Sequence, residues 1–292
     1  MPNPVRTAVF PVAGRGTRFL PATKAVPKEM LPVVDKPLIQ YAVEEAVEAG
    51  ANRLVFVTHS SKGAIQAHFE GHQELEQALV YAGKQDILAA VQGVVPAAVE
   101  CIYVLQGAPL GLGHAVLCAR EAVGDEAFYV HLPDDLILAS QGCLTQLRQR
   151  YEETGCSVIA VEQVPREMTS SYGIVAVDSD YALKQIIEKP QPEDAPSDLA
   201  VVGRYLLTPA VFDELEKTGE GSGGEIQLTD GVAALMGHEQ VYAMPFDGAR
   251  YDCGSKLGYL KANIDFALER EELAAGLREH LANIQRPSSK AI

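Results

Sequence analysis

The sequence predicts an α/β fold with a mixed, mostly parallel central sheet, flanking helices and antiparallel hairpin additions late in the chain. Up to about residue 165, short runs of β-branched and aromatic residues alternate with helical patterns, which is typical of parallel strands with crossover helices. Beyond that point strand patterns follow one another across short polar turns, as in hairpins. The 292 residues, 47% of them hydrophobic and 22% charged, suit one large globular domain.

The predicted elements of the first part are short and regularly spaced. Strands are expected over residues 7–12, 53–58, 101–106, 127–132 and 157–163. Helices are expected over residues 38–49, 64–69, 74–88, 114–123 and 142–151. In the first of these helices, Ile39, Ala42 and Val43 recur at spacings of three and four, and Gly50 predicts its end.

The later part of the chain predicts a different local structure. Residues 172–177 and 182–188 read as a hairpin, followed by a strand over 201–207. Helices are expected from Pro209, after the glycine-rich residues 219–224, and over 256–282. We therefore expect one α/β domain over residues 1–265, and a C-terminal helix with a polar tail over 266–292.

Composition excludes several classes of protein. Nothing resembles a signal peptide or a stretch of about 18 apolar residues that could span a bilayer, so a cytoplasmic location is expected. Five widely spaced cysteines without a CxxC pair predict free thiols rather than a disulfide framework or a zinc site. A net charge of −15 argues against nucleic acid or an anionic membrane as a partner.

A loop with two glycines and four cationic residues follows the first predicted strand, in the segment that runs from Ala13 to Lys28. Glycines let backbone N–H groups approach phosphate oxygens, while Arg18 and Lys28 supply positive charge. A dinucleotide fingerprint fails because Phe19 stands where its last glycine would be, and GxxxxGK[ST] is absent. Residues 1–40 hold six cationic and two acidic residues, a net charge of +4, which indicates a local anion site.

This loop resembles the signature of the sugar nucleotidyltransferases, GxGTR followed by a PK pair. The resemblance continues in the same order along the chain, through PATKAVPKEMLPVVDKPLIQY at 21–41, VTHSSK at 57–62, GLGHAVLCA at 111–119, LPDD at 132–135, YGIV at 172–175, EKP at 188–190, VGRYLLTP at 202–209, GGEIQLTD at 223–230 and DCGSKLGY at 252–259. It covers about residues 5–265. It implies a Rossmann-like fold of the nucleotide-diphospho-sugar transferase type.

The resemblance also implies an activity. Four strings, KAVPKEMLPVVDKP, THSSK, GLGHAVLCA and VGRYLLTP, are similar to the uridylyltransferase branch of the family. They imply UTP and glucose 1-phosphate as substrates, with UDP-glucose and pyrophosphate as products. The family further implies Mg²⁺ as cofactor and a homo-oligomer, either a dimer or a tetramer.

The residues that match the family's functional positions fall into four groups. Arg18 and Lys28 match the catalytic cations. The nucleotide-binding positions are Ala13, Gly14, Gly16, Thr17, Glu29, Gln106 and Gly111; the sugar-phosphate positions are Gly173, Glu188, Lys189 and Gly203; the metal positions are Asp134 and Asp252. The residue types suit these roles, since carboxylates bind Mg²⁺ or sugar hydroxyls and an amide can both donate to and accept from a base.

Other interpretations remain open at this point. Taken alone, Asp134 could cap a turn, the EKP string could be an exposed strand end, and His114 reads as a capping or packing residue. A thymidylyltransferase or a related sugar-1-phosphate nucleotidyltransferase shares the GxGTR, PK and EKP strings. A non-catalytic regulator that binds a sugar nucleotide is a more distant alternative, and a dehydrogenase is disfavoured by Phe19.

Overall fold

The computed structural model describes residues 2–284, apart from the side chain of Ser222. Its strands are β1 (Thr7–Pro11), β2 (Pro32–Val33), β3 (Lys36–Pro37), β4 (Arg53–Thr58), β5 (Glu100–Leu105), β6 (Phe128–His131), β7 (Asp135–Leu138), β8 (Ser157–Gln163), β9 (Gly173–Val177), β10 (Leu183–Glu188), β11 (Leu199–Leu207), β12 (Val241–Pro245) and β13 (Ala249–Asp252). Its α-helices are α1 (Leu38–Glu48), α2 (Gly63–Phe69), α3 (Gln73–Tyr81), α4 (Gln85–Gln92), α5 (Leu112–Cys118), α6 (Arg120–Val123), α7 (Cys143–Thr154), α8 (Ala210–Lys217), α9 (Leu228–Leu235), α10 (Lys256–Leu268) and α11 (Glu271–Asn283).

The central sheet has nine strands, of which seven follow the order β10-β9-β11-β6-β1-β4-β5. The strands β6, β1, β4 and β5 are parallel, and β12 is parallel to β8. The strand β11 is antiparallel to β6, β8 and β9, and β10 is antiparallel to β9. This mixed sheet, parallel early and antiparallel late, confirms the fold class predicted from the sequence.

Helices cover both faces of the sheet, so the central strands are apolar on both sides. On β1, Ala8 and Phe10 pack in one hydrophobic cluster and Val9 packs in the other. The helix α1 turns Ile39 and Val43 into the same cluster as Phe10, which confirms the predicted face. Burying each large side chain of this kind contributes roughly 1.5–3 kcal/mol, so this double layer holds the strand ends in place.

A buried ion pair joins the sheet to α1. Arg204 of β11 is fully buried, and its Nη2 lies 2.8 Å from Oε2 of Glu45. His131, at the end of β6, donates from Nε2 to the same carboxylate at 3.1 Å. Burial, followed by the positive charge of Arg204, lowers the pKa of His131 to about 4. Arg204 also donates to the Leu132 carbonyl at 3.2 Å, so the pair braces the loop that follows β6.

Three predicted helices are each divided in two. The helix expected over 74–88 breaks between α3 and α4, where Gly83 has φ +70°, a conformation that favours glycine. The helix expected over 114–123 divides at Ala119, and the one over 256–282 divides after Leu268. The polar tail lies outside the described residues from 285 onward, and the boundary at 265 stays a prediction.

The five cysteines are free, as predicted. Among residues 2–284, no helix is both long and apolar enough to cross a membrane.

Candidate active site

The candidate residues gather where parallel strands end. The strands β1, β4, β5 and β6 run in one direction, so the loops that follow them meet at one edge of the sheet. Those loops are residues 12–31, 59–62, 106–111 and 132–134. They contain most of the positions that the sequence assigned to the nucleotide and the metal.

The loop after β1 folds back on itself through three short 3₁₀ turns, Thr17–Phe19, Ala22–Lys24 and Lys28–Met30. Gly16 has φ +63°, and a Cβ built on it would lie 3.1 Å from Cβ of Lys28. Thr23 donates from its hydroxyl to the Gly16 carbonyl at 2.7 Å. A left-handed glycine and a side-chain hydrogen bond therefore bring the two ends of the predicted phosphate loop together.

The remaining backbone positions of this loop face open space. Gly14 is exposed, and a Cβ there would have no neighbour within 4 Å. Thr17 is exposed and Ala13 is half-buried. Because protein packing does not require a glycine at position 14, the space beside it is available to a ligand.

Lys28 contacts one of the predicted metal ligands directly. Its Nζ lies 2.5 Å from Oδ2 of Asp134, and both side chains are about one-fifth exposed. Burial opposes the charged form of Lys28, but the attraction of Asp134 and Glu29 outweighs it and raises the pKa of Lys28. Burial likewise opposes the charge on Asp134, and Lys28 reverses this effect and lowers the pKa of that carboxyl.

Both predicted metal ligands lie at one two-stranded ribbon, where Asp134 directly precedes β7 and Asp252 ends β13. The strands β7 and β13 pair antiparallel, with Asp135 opposite Asp252, and the Cys253 N–H donates to the Asp134 carbonyl at 2.7 Å. Burial and the negative charge of Asp135 raise the pKa of Asp252. Arg18, whose side chain is exposed, offsets part of this charge. Asp252 therefore has a neighbouring carboxylate whose repulsion a bound cation would offset.

The donor set of this ribbon fits a hard cation that shares its coordination with substrate. Among the described residues, no group of three or more His, Cys, Asp or Glu side chains forms a complete metal cage. Mg²⁺ characteristically takes one or two carboxylates and fills its remaining positions with phosphate oxygens and water. Two aspartates beside a phosphate loop match that requirement.

Arg18 lies at the same ribbon. A Cβ built on Gly254 would come within 2.7 Å of Nη2 of Arg18, so the guanidinium packs over this glycine. Arg18 forms no ion pair with any described residue, although its charge acts on both Asp134 and Asp252. Its donors therefore stay available to an anion, and its role with a triphosphate stays a prediction.

Asp135 has its own partners, and they are structural. Its Oδ1 accepts from Nε of Arg250 at 2.8 Å, and its Oδ2 accepts from the Gly203 N–H at 2.7 Å. Arg250 also pairs with Glu162, and its guanidinium lies 5.1 Å from the centre of the Tyr172 ring. Sequence reasoning missed Arg250. The only signal for it is its position two residues before Asp252.

The predicted sugar-phosphate residues form a second group. Glu188 accepts from the Thr229 hydroxyl at 2.9 Å through Oε2, and Lys189 lies 3.1 Å from its Oε1. Lys189 has φ +47°, uncommon for a residue with a side chain, and its N–H donates to the Tyr172 carbonyl at 2.9 Å. A Cβ on Gly173 would lie 2.8 Å from Cγ2 of Thr229. The residues Gly173, Glu188 and Lys189 are thus brought together, with Thr229 added to the predicted set.

Gly203 is placed by packing against the protein itself. A Cβ there would lie 2.6 Å from Cβ of Leu132 and 2.9 Å from Oδ2 of Asp135. Its carbonyl accepts from the Leu132 N–H at 2.8 Å. The close approach of β11 to the loop after β6 explains the glycine, and its predicted contact with a sugar stays a prediction.

The loop after β5 is built around Gln106. Its Nε2 donates to the Gly111 carbonyl at 3.2 Å and lies 3.0 Å from Nδ1 of His114. Gly111 has φ +107°, and a Cβ there would lie 2.6 Å from the Ile226 carbonyl. His114 is therefore a partner of Gln106, which agrees with its predicted packing role.

Glu29, one of the predicted nucleotide-binding residues, forms a buried ion pair with Lys62. Glu29 is 1% exposed, and its Oε2 lies 2.8 Å from Nζ of Lys62. The sequence predicted Glu29 and assigned nothing to Lys62, although Lys62 ends the VTHSSK string. A buried lysine could not be recognised there, because only the fold shows that it meets a residue 33 positions away.

Comparisons with known proteins identify the family of the chain. The family described as Nucleotidyl transferase matches residues 8–269. The UTP–glucose-1-phosphate uridylyltransferase of Bacillus subtilis (strain 168) is 49% identical over 273 residues, covering 92% of this chain and 93% of the relative.

Two solved structures are also similar. A UTP-bound UGPase from Acinetobacter baumannii has a TM-score of 0.90 at 44% identity, covering 96% of this chain and 100% of that one. A UDP-glucose pyrophosphorylase complexed with UDP-glucose has a TM-score of 0.83 at 41% identity, covering 91% of this chain and 100% of that one. The resemblance drawn from the sequence is confirmed: the chain belongs to the nucleotidyl transferase family.

Proposed function

We propose that this chain transfers a uridylyl group from UTP to α-D-glucose 1-phosphate, giving UDP-glucose and pyrophosphate. One observation carries the proposal: the carboxylate ribbon of β7 and β13 contacts residues from both substrate sides. Lys28, from the phosphate loop, pairs with Asp134, which directly precedes β7. Arg250, within the ribbon, binds Asp135 and lies over Tyr172, which precedes the sugar-side Gly173. The relative named for this reaction supports the same assignment, and so do the two similar structures with UTP or UDP-glucose bound.

The reaction is an in-line displacement at the α-phosphorus of UTP. A phosphate oxygen of glucose 1-phosphate forms the new P–O bond, and the bond from the α-phosphorus to the bridging oxygen breaks, so pyrophosphate leaves. The attacking oxygen is already ionised, and neither a general base nor an enzyme nucleophile is required. The protein must position two polyanions and neutralise their charge.

Arg18, Lys28 and Lys189 have different roles in binding the two substrates. Arg18, with unpaired donors at the ribbon, suits the triphosphate, since a guanidinium fork matches two phosphate oxygens. Lys28 is held by Asp134 and lies between the phosphate loop and the ribbon. Lys189 is 48% exposed beside Glu188, where it suits the phosphate of the sugar while Glu188 accepts from sugar hydroxyls.

A divalent metal ion is part of this proposal, and Mg²⁺ is our specific choice. Asp134 and Asp252 would hold it, and it would neutralise charge on the phosphate oxygens. The raised pKa of Asp252 supports a cation there, because burial and Asp135 leave that carboxyl short of positive charge. The homo-oligomeric state and the cytoplasmic location stay predictions.

Two single substitutions test the site. Arg18→Ala and Asp134→Ala should each lower the turnover number for UDP-glucose synthesis by roughly 10²–10³, the usual cost of removing one electrostatic partner from a preorganised site. Lys184→Met, on an exposed lysine that pairs with Asp178, is the control and should leave turnover unchanged. Rates for both site variants within a few fold of the parent would show that the site is wrongly assigned. Comparing UTP with dTTP tests the thymidylyltransferase alternative.

A further inference from the structure

The buried pair of Glu29 and Lys62 is incomplete in a specific way. Both side chains are almost fully buried, 1% and 7% exposed, and one carboxylate oxygen, Oε2, meets Nζ at 2.8 Å. The other oxygen, Oε1, is also buried and has no hydrogen-bond partner among the described residues. The carboxylate is thus fixed by one oxygen and leaves the second without a donor.

This arrangement does not increase the stability of the folded protein. A buried ion pair contributes about as much as apolar residues of the same size, and an unsatisfied buried acceptor destabilises the folded state. Folding therefore does not explain why Oε1 is left free. A ligand that brings a hydrogen-bond donor would satisfy it.

The position of the pair identifies which ligand comes near. Glu29 directly follows Lys28, whose Nζ reaches Asp134. Lys62 comes from the segment after β4, between the loops that follow β1 and β5. Gln106 begins the second of these loops and offers another acceptor. The pair therefore belongs to the group of loops that carries the predicted nucleotide-binding positions.

We propose that Lys62 is a positioning residue for nucleoside recognition: it holds Glu29 through Oε2 so that Oε1 accepts a hydrogen bond from an N–H or O–H group of the uridine moiety. The inference rests on the proposed function, because it takes the nucleotide to be UTP. Two groups of uridine have the required chemistry, the N3–H of uracil and the hydroxyls of ribose. Lys62 acts through Glu29 and touches neither substrate in this account.

Charge on Glu29 is essential to this role, since a protonated carboxyl could turn an O–H toward the ligand. The charged groups that act on Glu29 are Lys62, from the segment leading into α2, and Lys28, from its own turn. The other titratable residue of α2, His68, hydrogen-bonds to Gln40 instead. Burial raises the pKa of Glu29, and the two lysines oppose this rise. Without Lys62 the pKa would rise further.

The test is Lys62→Met, studied by initial rates with each substrate varied in turn. We expect the KM for UTP to rise about tenfold, which corresponds to about 1.4 kcal/mol, with the KM for glucose 1-phosphate changed by less than about twofold. Relative to the parent, the excess UTP KM should shrink as pH rises from 6 to 8.5, because Glu29 regains its charge. Lys184→Met is again the matched control.

A double variant separates positioning from a general structural role. In Glu29→Gln with Lys62→Met no titratable carboxyl remains at this position, so the excess UTP KM relative to the parent should no longer change with pH. This variant also buries no unpaired charge, so it keeps the test available if Lys62→Met alone does not fold. Thermal unfolding of each variant shows which proteins are folded.

Two UTP analogues identify the donor. If the ribose 2′-hydroxyl donates, the parent should discriminate against dUTP, and Glu29→Gln should lose that discrimination. If N3–H donates instead, the parent should discriminate against N3-methyl-UTP, and Glu29→Gln should lose that discrimination. Equal rises in both substrate KM values, or a pH dependence that persists in the double variant, would overturn the proposal. A parent protein that makes no UDP-glucose would instead refute the proposed function, so the two failures are distinguishable.

Discussion

Replacing Thr229 by valine removes one hydroxyl and almost nothing else. Thr229 is 6% exposed, and its hydroxyl donates to Oε2 of Glu188 at 2.9 Å. Its methyl group packs toward Gly173, where a Cβ would come within 2.8 Å. Valine keeps that methyl, so the variant isolates the contribution of the hydrogen bond to the orientation of Glu188.

The expected magnitude follows from the partners that remain. A hydrogen bond to a charged group contributes about 1.5–3 kcal/mol, which would correspond to roughly 10- to 150-fold if all of it reached sugar binding. Lys189 still holds Oε1 of Glu188 at 3.1 Å, so the carboxylate stays partly oriented. We therefore expect the lower end, an increase of about tenfold in the KM for glucose 1-phosphate.

The assay is the initial rate of UDP-glucose formation with one substrate varied at saturating levels of the other. Thr208→Val is the matched control, because it removes another threonine hydroxyl bound to a glutamate, Glu239, at 2.9 Å. The control should leave both KM values unchanged. If Thr229→Val leaves the KM for glucose 1-phosphate unchanged, or raises the KM for UTP equally, the placement of Glu188 in the sugar subsite is refuted.

The buried ion pair of Arg204 and Glu45, together with His131, gives two further predictions. Arg204→Met leaves the Glu45 carboxylate without its main partner, so the free energy of unfolding in urea should fall by about 3–5 kcal/mol; a loss below about 1 kcal/mol would contradict the account. His131, with its pKa lowered to about 4, is neutral in the folded protein and charged below pH 6.5 in the unfolded chain, so stability falls as pH drops through this window. Between pH 7 and pH 5 its contribution should fall by about 2 kcal/mol, and His131→Gln should flatten that slope in urea titrations.

The sequence predicted the parallel half of the fold well because three of its four strands, β1, β4 and β6, are almost fully buried. The strand β4 has only apolar residues from Leu54 to Val57, and its bounds match the prediction. The ribbon of β7 and β13 was not predicted. Each of its strands has four residues, and their pairing joins segments more than 100 residues apart. A local pattern cannot report a contact that only the closed fold creates.

The candidate site divides in the same way. Arg18, Asp134 and Glu188 stand in strings with a recognisable order of residues, so the sequence could assign them roles. Arg250 stands outside these strings, and Lys62 ends the VTHSSK string, whose residues do not show that this lysine is buried against Glu29. Their importance follows from burial and from partners far away in sequence, which the structure supplies.

The central claim is that one cleft joins UTP to glucose 1-phosphate. The most direct measurement is pyrophosphate release by the purified chain with Mg²⁺ and UTP alone, with glucose 1-phosphate alone, and with both. The account predicts release only when both are present, with UDP-glucose formed in equal amount. Release of pyrophosphate from UTP without the sugar phosphate, or no UDP-glucose when both substrates are supplied, would contradict it.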